Sequence, residues 1–311
     1  MAIAARDAVA AAPARRRSLL DDERRLGRLM LAPAVLYIAL LVGVPFFLAL
    51  YYSVSNITLG SQSLEFVGLR NYLAVMDTTK FRTSLKNTFV FAVVSQIIVM
   101  VLGNVLALLL QRDFPGKWVI RFLLLLPWVA PISLGTIGWL WILDSTYSVI
   151  NWGLQALALV PPEGGFMWLG VPYLAMGSII TIHVWRILPL ATVIILAGLT
   201  AIPQEVHDAA AVDGAGAWRK HFRITLPLLR PVMTVAGLFG LVFAFTDMIV
   251  VYVLTRGGPY DTTQVLTTLA FFTGIAAGDL GEGAAVALFL FPLLVAVAAV
   301  MLIVARRAEV T

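Results

Sequence analysis

Six long apolar runs dominate this sequence and constrain its fold more than any other feature. Each run is about 20 to 26 residues long, the length at which an α-helix crosses the hydrocarbon core of a bilayer. Hydrophobic residues make up 60% of the 311-residue chain and charged residues 13%, with a mean hydropathy of +0.93. This balance excludes a soluble globular protein and predicts one all-α membrane domain. The expected spans are residues 29–54, 85–110, 119–143, 172–198, 229–254 and 284–305.

The basic residues are distributed unevenly between the two sides of such a bundle. Sixteen of the 22 Lys and Arg residues fall in the N-terminal tail, the loops 111–121 and 199–230, and the C-terminus, whereas the alternate loops hold five. Because basic loops stay in the cytoplasm, both termini are expected there. The chain then divides into three parts, which are a cytoplasmic tail of residues 1–28, a six-span domain of residues 29–305 and a cytoplasmic tail of residues 306–311.

The start of the chain is expected to be a retained signal anchor. Its polar segment is about 28 residues long and the apolar run after it exceeds the usual length of a cleavable signal. Ser18 and Asp21 form a capping-box pattern, which predicts a short interfacial helix from about Leu19 into the first span.

Several kinds of chemistry are missing from the sequence. The chain has no cysteine, which excludes disulfides and iron–sulfur clusters, and its three histidines form no HExxH pair. Its Gly116-Lys117 pair runs into Trp118, so it forms no P-loop, and no G-x-S-x-G motif is present. We expect no metal, cofactor or nucleotide on this chain and no enzymatic activity of its own, so energy for any transport must come from elsewhere.

The loop 199–231 is the most informative part of the sequence. Pro203 suits a first helical position and Gly214 suits the residue just past a helix end, which predicts a helix over residues 203–213. Its face of small side chains would let the backbone of a partner approach closely. That face is formed by Val206, Ala209, Ala210 and Asp213. The alternative is a helix that lies on lipid headgroups, which would favour bulkier apolar residues than these.

The sequence of this loop resembles that of a known protein family. The pattern Asp208-Ala209-Ala210-x-x-x-Gly214, followed after nine residues by Ile224-x-Leu226-Pro227, resembles the EAA loop of ATP-binding-cassette (ABC) importer permeases. Asp208 stands where that family usually has Glu, which keeps the charge on a shorter side chain. Other stretches resemble the carbohydrate-uptake branch typified by the larger maltose-transporter permease and by glycerol-3-phosphate permeases. They are Gly68-Leu69-Arg70-Asn71-Tyr72, Asn87-Thr88, Leu125-Leu126-Pro127, Trp139, Ile150-Asn151, Trp185 to Pro189, and Leu254-Thr255-x-Gly257-Gly258-Pro259.

The resemblance implies a fold, a mechanism and partners. The fold is a six-helix importer permease bundle in a bacterial or archaeal cytoplasmic membrane, with a cytoplasmic coupling helix. The implied partners are a homologous second permease, two ATPase subunits that bind ATP and Mg, and an extracytoplasmic solute-binding protein that delivers a sugar, oligosaccharide or glycerol-phosphate-like polyol. The residues expected to couple the chain to an ATPase are Asp208, Ala209, Ala210, Asp213, Gly214, Leu226 and Pro227.

Polar side chains at membrane depth are the other functional candidates, because burying them in a span is costly. They are Gln96, Asn104, His183, Arg186 and Asp247. His183 and Arg186 share a helical face, and an Arg186–Asp247 pair is electrically attractive. Such a pair is either a structural tie between helices or part of a substrate path. The same groups also suit an ion-coupled secondary transporter, the alternative function, although an Arg that stays protonated is a poor proton relay. A pure scaffold would not need both these charges and the coupling loop.

The outer loops and the tryptophans each allow two interpretations. The loops 55–84 and 255–283 are expected either to face the solute-binding protein or to act as simple connectors. Most tryptophans, among them Trp118, Trp152 and Trp218, are expected to anchor the bundle at the membrane interfaces, and one or two are alternatives for stacking on sugar.

Overall fold

The computed structural model describes residues 23–60, 64–161 and 164–309. The predicted interfacial helix at Ser18 lies outside these residues. The described residues separate into two packing units, with the boundary between residues 49 and 50.

The N-terminal unit is almost entirely helical where it is described. It contains α1 (Glu23–Ile38), a π-helical segment (Ala39–Gly43) and the start of α2 (Val44–Ser53). The run Leu26–Ser53 is apolar and long enough to cross a membrane, which agrees with the predicted first span. Its large apolar side chains, such as Leu36 and Phe47, are exposed, as expected for a helix that faces lipid.

The second unit begins with a short hairpin and a long helix. Strands β1 (Ser55–Asn56) and β2 (Glu65–Phe66) pair antiparallel, and α3 (Arg70–Asp77) leads into α4 (Thr79–Gln111). The Thr78 hydroxyl accepts a hydrogen bond from the Phe81 N–H, which caps the start of α4.

The predicted span 119–143 is wrong as a single straight helix. The segment forms α5 (Lys117–Val129) and α6 (Ile132–Ile142), which meet at an angle of 98°. The bend falls at Pro131, which has no N–H to continue the helix and forces Ala130 into an extended conformation. The chain then passes through the short helix α7 (Val149–Ala156) to α8 (Pro172–Ala201).

The predicted span 229–254 is also wrong at its C-terminal end. Helix α11 stops at Thr246 and Asp247 caps it in an extended conformation, so the short helix α12 begins a separate segment. The elements after α8 are α9 (Gln204–Val212), α10 (Ala217–Lys220), a π-helical segment (His221–Thr225), α11 (Leu226–Thr246), α12 (Ile249–Leu254), α13 (Leu266–Phe271), a second π-helical segment (Phe272–Ala276), α14 (Leu280–Leu288) and α15 (Phe291–Glu309).

The core of the second unit is formed where α4, α8 and α11 pack on one another. Glycines bring these helices close together, as small residues do in membrane bundles. A methyl group on Gly198 of α8 would come within 2.9 Å of the Val232 side chain of α11. A methyl group on Gly240 of α11 would overlap the Gln96 side chain of α4. With the bent pair α5 and α6 taken as one span, up to six described segments are long and apolar enough to cross a membrane.

Candidate functional site

The predicted coupling helix is present as α9, one residue shorter at each end than the predicted range. Gly214 adopts φ +70°, a left-handed conformation that glycine takes without strain. The N–H of Ala215 donates to the Ala210 carbonyl at 2.9 Å and that of Gly214 to the Ala211 carbonyl at 3.0 Å. These bonds satisfy the last carbonyls of the helix, so the loop around Gly214 is a defined turn.

The outward face of α9 differs from the predicted face. Ala210 is buried within this chain and Val206 is half-buried, because this side of the helix packs against the protein itself. Asp208, Ala209 and Val212 are exposed, and Val212 is 88% exposed. An exposed apolar side chain beside a carboxylate is a surface that a partner protein can cover. These three residues form the exposed part of α9.

The remaining predicted coupling residues flank this helix. Asp213 is the C-cap of α9 and is exposed. Leu226 and Pro227 are the first residues of α11 and are half-buried, so they fix the return of the chain from the loop into the membrane. The Asp208 carboxylate accepts a hydrogen bond from the Gln204 amide at 3.0 Å.

At membrane depth the predicted Arg186–Asp247 pair is present and His183 joins it. One carboxylate oxygen of Asp247, Oδ2, lies 2.8 Å from Arg186 Nη2 and 2.8 Å from His183 Nδ1. The other oxygen accepts the Val250 N–H at 3.1 Å, at the first turn of α12. The carboxylate thus joins α8 to the break between α11 and α12. We call His183, Arg186 and Asp247 the buried triad.

The members of the buried triad differ in their access to the surface. The side chains of His183 and Asp247 are each 1% exposed, whereas that of Arg186 is 15% exposed. The Phe91 ring packs edge-on against the His183 ring at 4.8 Å, and the Thr267 hydroxyl donates to the Asp247 carbonyl at 3.0 Å. Buried charges are stable only when paired and hydrogen-bonded, and here the acid receives both a guanidinium and a backbone N–H. Arg186 is the member through which the buried triad can meet a solute.

A match to a known protein family covers most of the chain. Residues 99–310 match the family model described as "Binding-protein-dependent transport system inner membrane component". The chain belongs to this family. The break at Asp247, the coupling loop and the buried triad all lie within the matched residues.

Relatives of this permease cover nearly its whole length. It is 35% identical over 288 residues to the trehalose/maltose transport system permease protein MalF of Thermococcus litoralis, covering 91% of this chain and 95% of that protein. It is 34% identical over 288 residues to the sulfoquinovosyl glycerol transport system permease protein SmoG of Agrobacterium fabrum, covering 92% of each. Its fold matches a chain of a bacterial ABC transporter that imports the acidic polysaccharide alginate, with a TM-score of 0.77 at 20% identity. That match covers 94% of this chain and 98% of the other.

Gln96 and Asn104, the other polar candidates in the permease, make their contacts elsewhere. Gln96 packs against Gly240, and its amide nitrogen is buried without a hydrogen-bond partner among the described residues. The Asn104 amide nitrogen lies 3.9 Å from the Met233 sulfur. Both side chains tie α4 to α11 and neither contacts the buried triad in the described structure.

Asn151 and Asn87 organise two loop regions and were not predicted as functional residues. Asn151 donates to the Phe166 carbonyl and accepts from the Phe166 N–H and from Trp168 Nε1, so it holds the connection between α7 and α8. Asn87 donates to the carbonyls of Thr262 and Gln264 and so fixes the loop before α13 on α4. Both asparagines lie in stretches of the family resemblance, which was the available signal.

The tryptophans fall into two groups. Trp139 and Trp168 are partly buried and pack against the core, and Trp139 contacts Trp185 edge-on at 5.6 Å. Trp118 and Trp218 are more than three-quarters exposed, as the interface assignment requires.

Proposed function

We propose that this permease is the transmembrane subunit of an ATP-driven importer that takes up a carbohydrate delivered by a solute-binding protein. The single observation that carries this proposal is the coupling helix α9 with its left-handed turn at Gly214, set inside a chain of the binding-protein-dependent family. Names of relatives that refer to trehalose, maltose and sulfoquinovosyl glycerol support a carbohydrate as substrate.

The proposed partners are a homologous second permease, two ATPase subunits and the solute-binding protein. A structural relative is a bacterial alginate ABC transporter in complex with a periplasmic protein that carries an alginate pentasaccharide, which supports a binding-protein partner. ATP and Mg would bind to the ATPase subunits, and the exposed residues Asp208, Ala209 and Val212 would contact one of them. Both termini and the coupling loop would be cytoplasmic, because most basic residues lie on that side.

In the proposed transport path, Arg186 contacts the substrate while His183 and Asp247 position it. The side chains of His183 and Asp247 are 1% exposed and bond each other, whereas 15% of the Arg186 side chain is exposed. The Nε of Arg186 is buried, but its terminal N–H groups that do not bond Asp247 suit the hydroxyl and ring oxygens of a sugar. The pairing with Asp247 would keep the path free of net charge.

The experiment that tests the function begins with purification of the tagged chain in mild detergent. Co-purification of an ATPase, a second permease and a solute-binding protein, with ATPase activity that the binding protein stimulates, is the expected result. The recovered binding protein is then screened against trehalose, maltose and related sugars.

The rival function, ion-coupled transport, gives the opposite pattern. Purification of the chain alone, without ATPase activity, together with uptake that a protonophore abolishes at constant ATP, would overturn the proposal. Uptake that survives the protonophore and stops on ATP depletion would remove the rival.

A further inference from the structure

A polar cavity lies where the end of α4 meets the coupling loop. Its volume is about 350 Å³, within the range of small-ligand sites. The polar residues that line it are Gln111, Arg112, Gln204, His207, Lys220, His221 and Thr225. They include two permanent cations and two imidazoles but no carboxylate. The composition of the cavity is therefore suited to an anion.

The cations of this cavity have no partner of their own. In the described parts of the chain, the side chains of Arg112 and Lys220 form no hydrogen bond or ion pair. The carbonyls at the end of α4 are satisfied by other cations, since Arg121 donates to Leu110 and Lys117 to Gln111. Arg112 caps α4 through its backbone N–H, which donates to the Leu109 carbonyl, so its side chain is not needed for this capping.

The acids closest in sequence are already engaged. Asp113 pairs with Lys117 at 3.1 Å, and the Asp208 carboxylate accepts from the Gln204 amide at 3.0 Å. Among the described residues no carboxylate forms an ion pair with Arg112 or Lys220, so neither cation of the cavity has an acid bonded to it.

The two histidines add an unsatisfied hydrogen-bonding demand. Both ring nitrogens of His207 and the Nδ1 of His221 are buried without a partner among the described residues. Buried polar groups are nearly always hydrogen-bonded, and each exception calls for a partner such as a ligand. A neutral imidazole carries one N–H donor, so His207 is able to donate to an anion in either protonation state.

We propose that this cavity binds a phosphate group and thereby braces the coupling loop against α4. A phosphate offers several acceptor oxygens and negative charge, which match two cations and two imidazole donors. Two sources share this chemistry, namely the headgroup of an anionic lipid and a free phosphate in the surrounding solution. Basic pockets beside membrane helices are known to hold lipid headgroups, which makes phosphatidylglycerol the first probe.

The first arm of the test uses native mass spectrometry of the full chain purified in neutral detergent. Retention of phosphatidylglycerol is compared with that of phosphatidylcholine for the wild type, Arg112→Gln and Lys220→Gln. Each removed charge is expected to weaken phosphatidylglycerol retention about fivefold. Arg219→Gln is the matched control, because Arg219 is an exposed cation on the same turn as Lys220 but does not line the cavity.

The second arm measures thermal stabilisation by inorganic phosphate against chloride at equal ionic strength. Stabilisation that is lost in Arg112→Gln and Lys220→Gln, with equal retention of both lipids, would identify free phosphate as the ligand. His207→Phe removes the ring donors while keeping an aromatic ring and is expected to weaken whichever probe binds. Equal effects of the Arg219→Gln control and the cavity variants, or no response to either probe, would overturn the proposal. Neither outcome depends on the substrate or the ATPase, so the proposed function is tested separately.

Discussion

Replacing Asp247 by leucine tests whether the buried triad holds the helices together. The Asp247 carboxylate is 1% exposed and lies 2.8 Å from nitrogens of both His183 and Arg186. Its removal leaves the Arg186 guanidinium in a largely buried position without its acid. Breaking a buried ion pair in this way costs about 3–5 kcal/mol. At roughly 2 °C per kcal/mol for a chain of this length, the melting temperature is expected to fall by about 6–10 °C.

The companion variant Arg186→Met is expected to be milder. It leaves Asp247 with His183 and the Val250 N–H as partners, and Arg186 already has 15% of its side chain exposed. We expect a loss of about 1–3 kcal/mol, the range for one hydrogen bond to a charged group. In the double variant the two losses overlap, because both remove the same contact, and the coupling energy should reach about 1–3 kcal/mol.

The assay is heating of the purified protein, with the monodisperse fraction followed by fluorescence-detected size exclusion. The reasoning is refuted if the stability lost in the double variant equals the sum of the losses in the two single variants. It is also refuted if Asp247→Leu has the same melting temperature as the wild type. Arg186→Lys separates structure from transport, because it keeps the charge but loses the planar fork of donors. We expect its stability to stay within about 1 kcal/mol of the wild type while KM for the sugar rises. Unchanged KM in both Arg186→Lys and Arg186→Met would leave the residue with a structural role alone.

Three further predictions concern the loop, the packing and the outer network. Gly214→Asp places a negative charge at the C-terminal end of α9, so it should uncouple ATP hydrolysis from uptake more than the neutral Gly214→Asn, measured in proteoliposomes. Gly198→Ala forces a methyl group to within 2.9 Å of Val232 and should lower the free energy of unfolding by about 1–3 kcal/mol. Gly177→Ala on the same helix places its methyl group in open space and should not destabilise the protein, which thermal melts of both variants would show. Asn151→Leu removes the partner of three partly buried groups and should cost about 1–3 kcal/mol, with faster proteolysis of the connection before α8.

The parts of the fold that sequence reasoning predicted correctly are those with local causes. Hydrophobic length alone located the membrane segments, because no other structure satisfies the backbone in lipid. Pro203 and Gly214 predicted the two ends of the coupling helix to within one residue. Gly214 adopts a φ of +70°, a conformation that glycine takes without strain. The Arg186–Asp247 attraction followed from their being an isolated base and acid at membrane depth.

The parts that sequence reasoning missed depend on distant contacts. Hydropathy continues through Asp247, so the pattern predicts one span where the helix ends. The termination is supported by Arg186, which is 61 positions away in the chain, and by Thr267, which is 20 away. Ala210 was predicted to lie on the outward face of α9, but it is buried. Its burial depends on packing against distant parts of the chain, which the local sequence does not reveal. The bend at Pro131 differs from these features because its cause is local, and the proline that produces it is present in the sequence.

The geometry of α8 and α11 explains how an event at the coupling loop can reach the buried triad. The two helices enter and leave the loop, and they pack closely near it where Gly198 meets Val232. From Ala201 at the loop to Arg186 is roughly 22 Å along an α-helix that rises 1.5 Å per residue. At that depth Asp247, at the far end of α11, bonds Arg186 and His183 of α8. Contacts therefore join α8 and α11 at both ends, so we expect a displacement of α9 to move the two helices together. Helix α11 ends at Thr246, beside the residue proposed to meet the substrate, so we expect the bundle to bend there first.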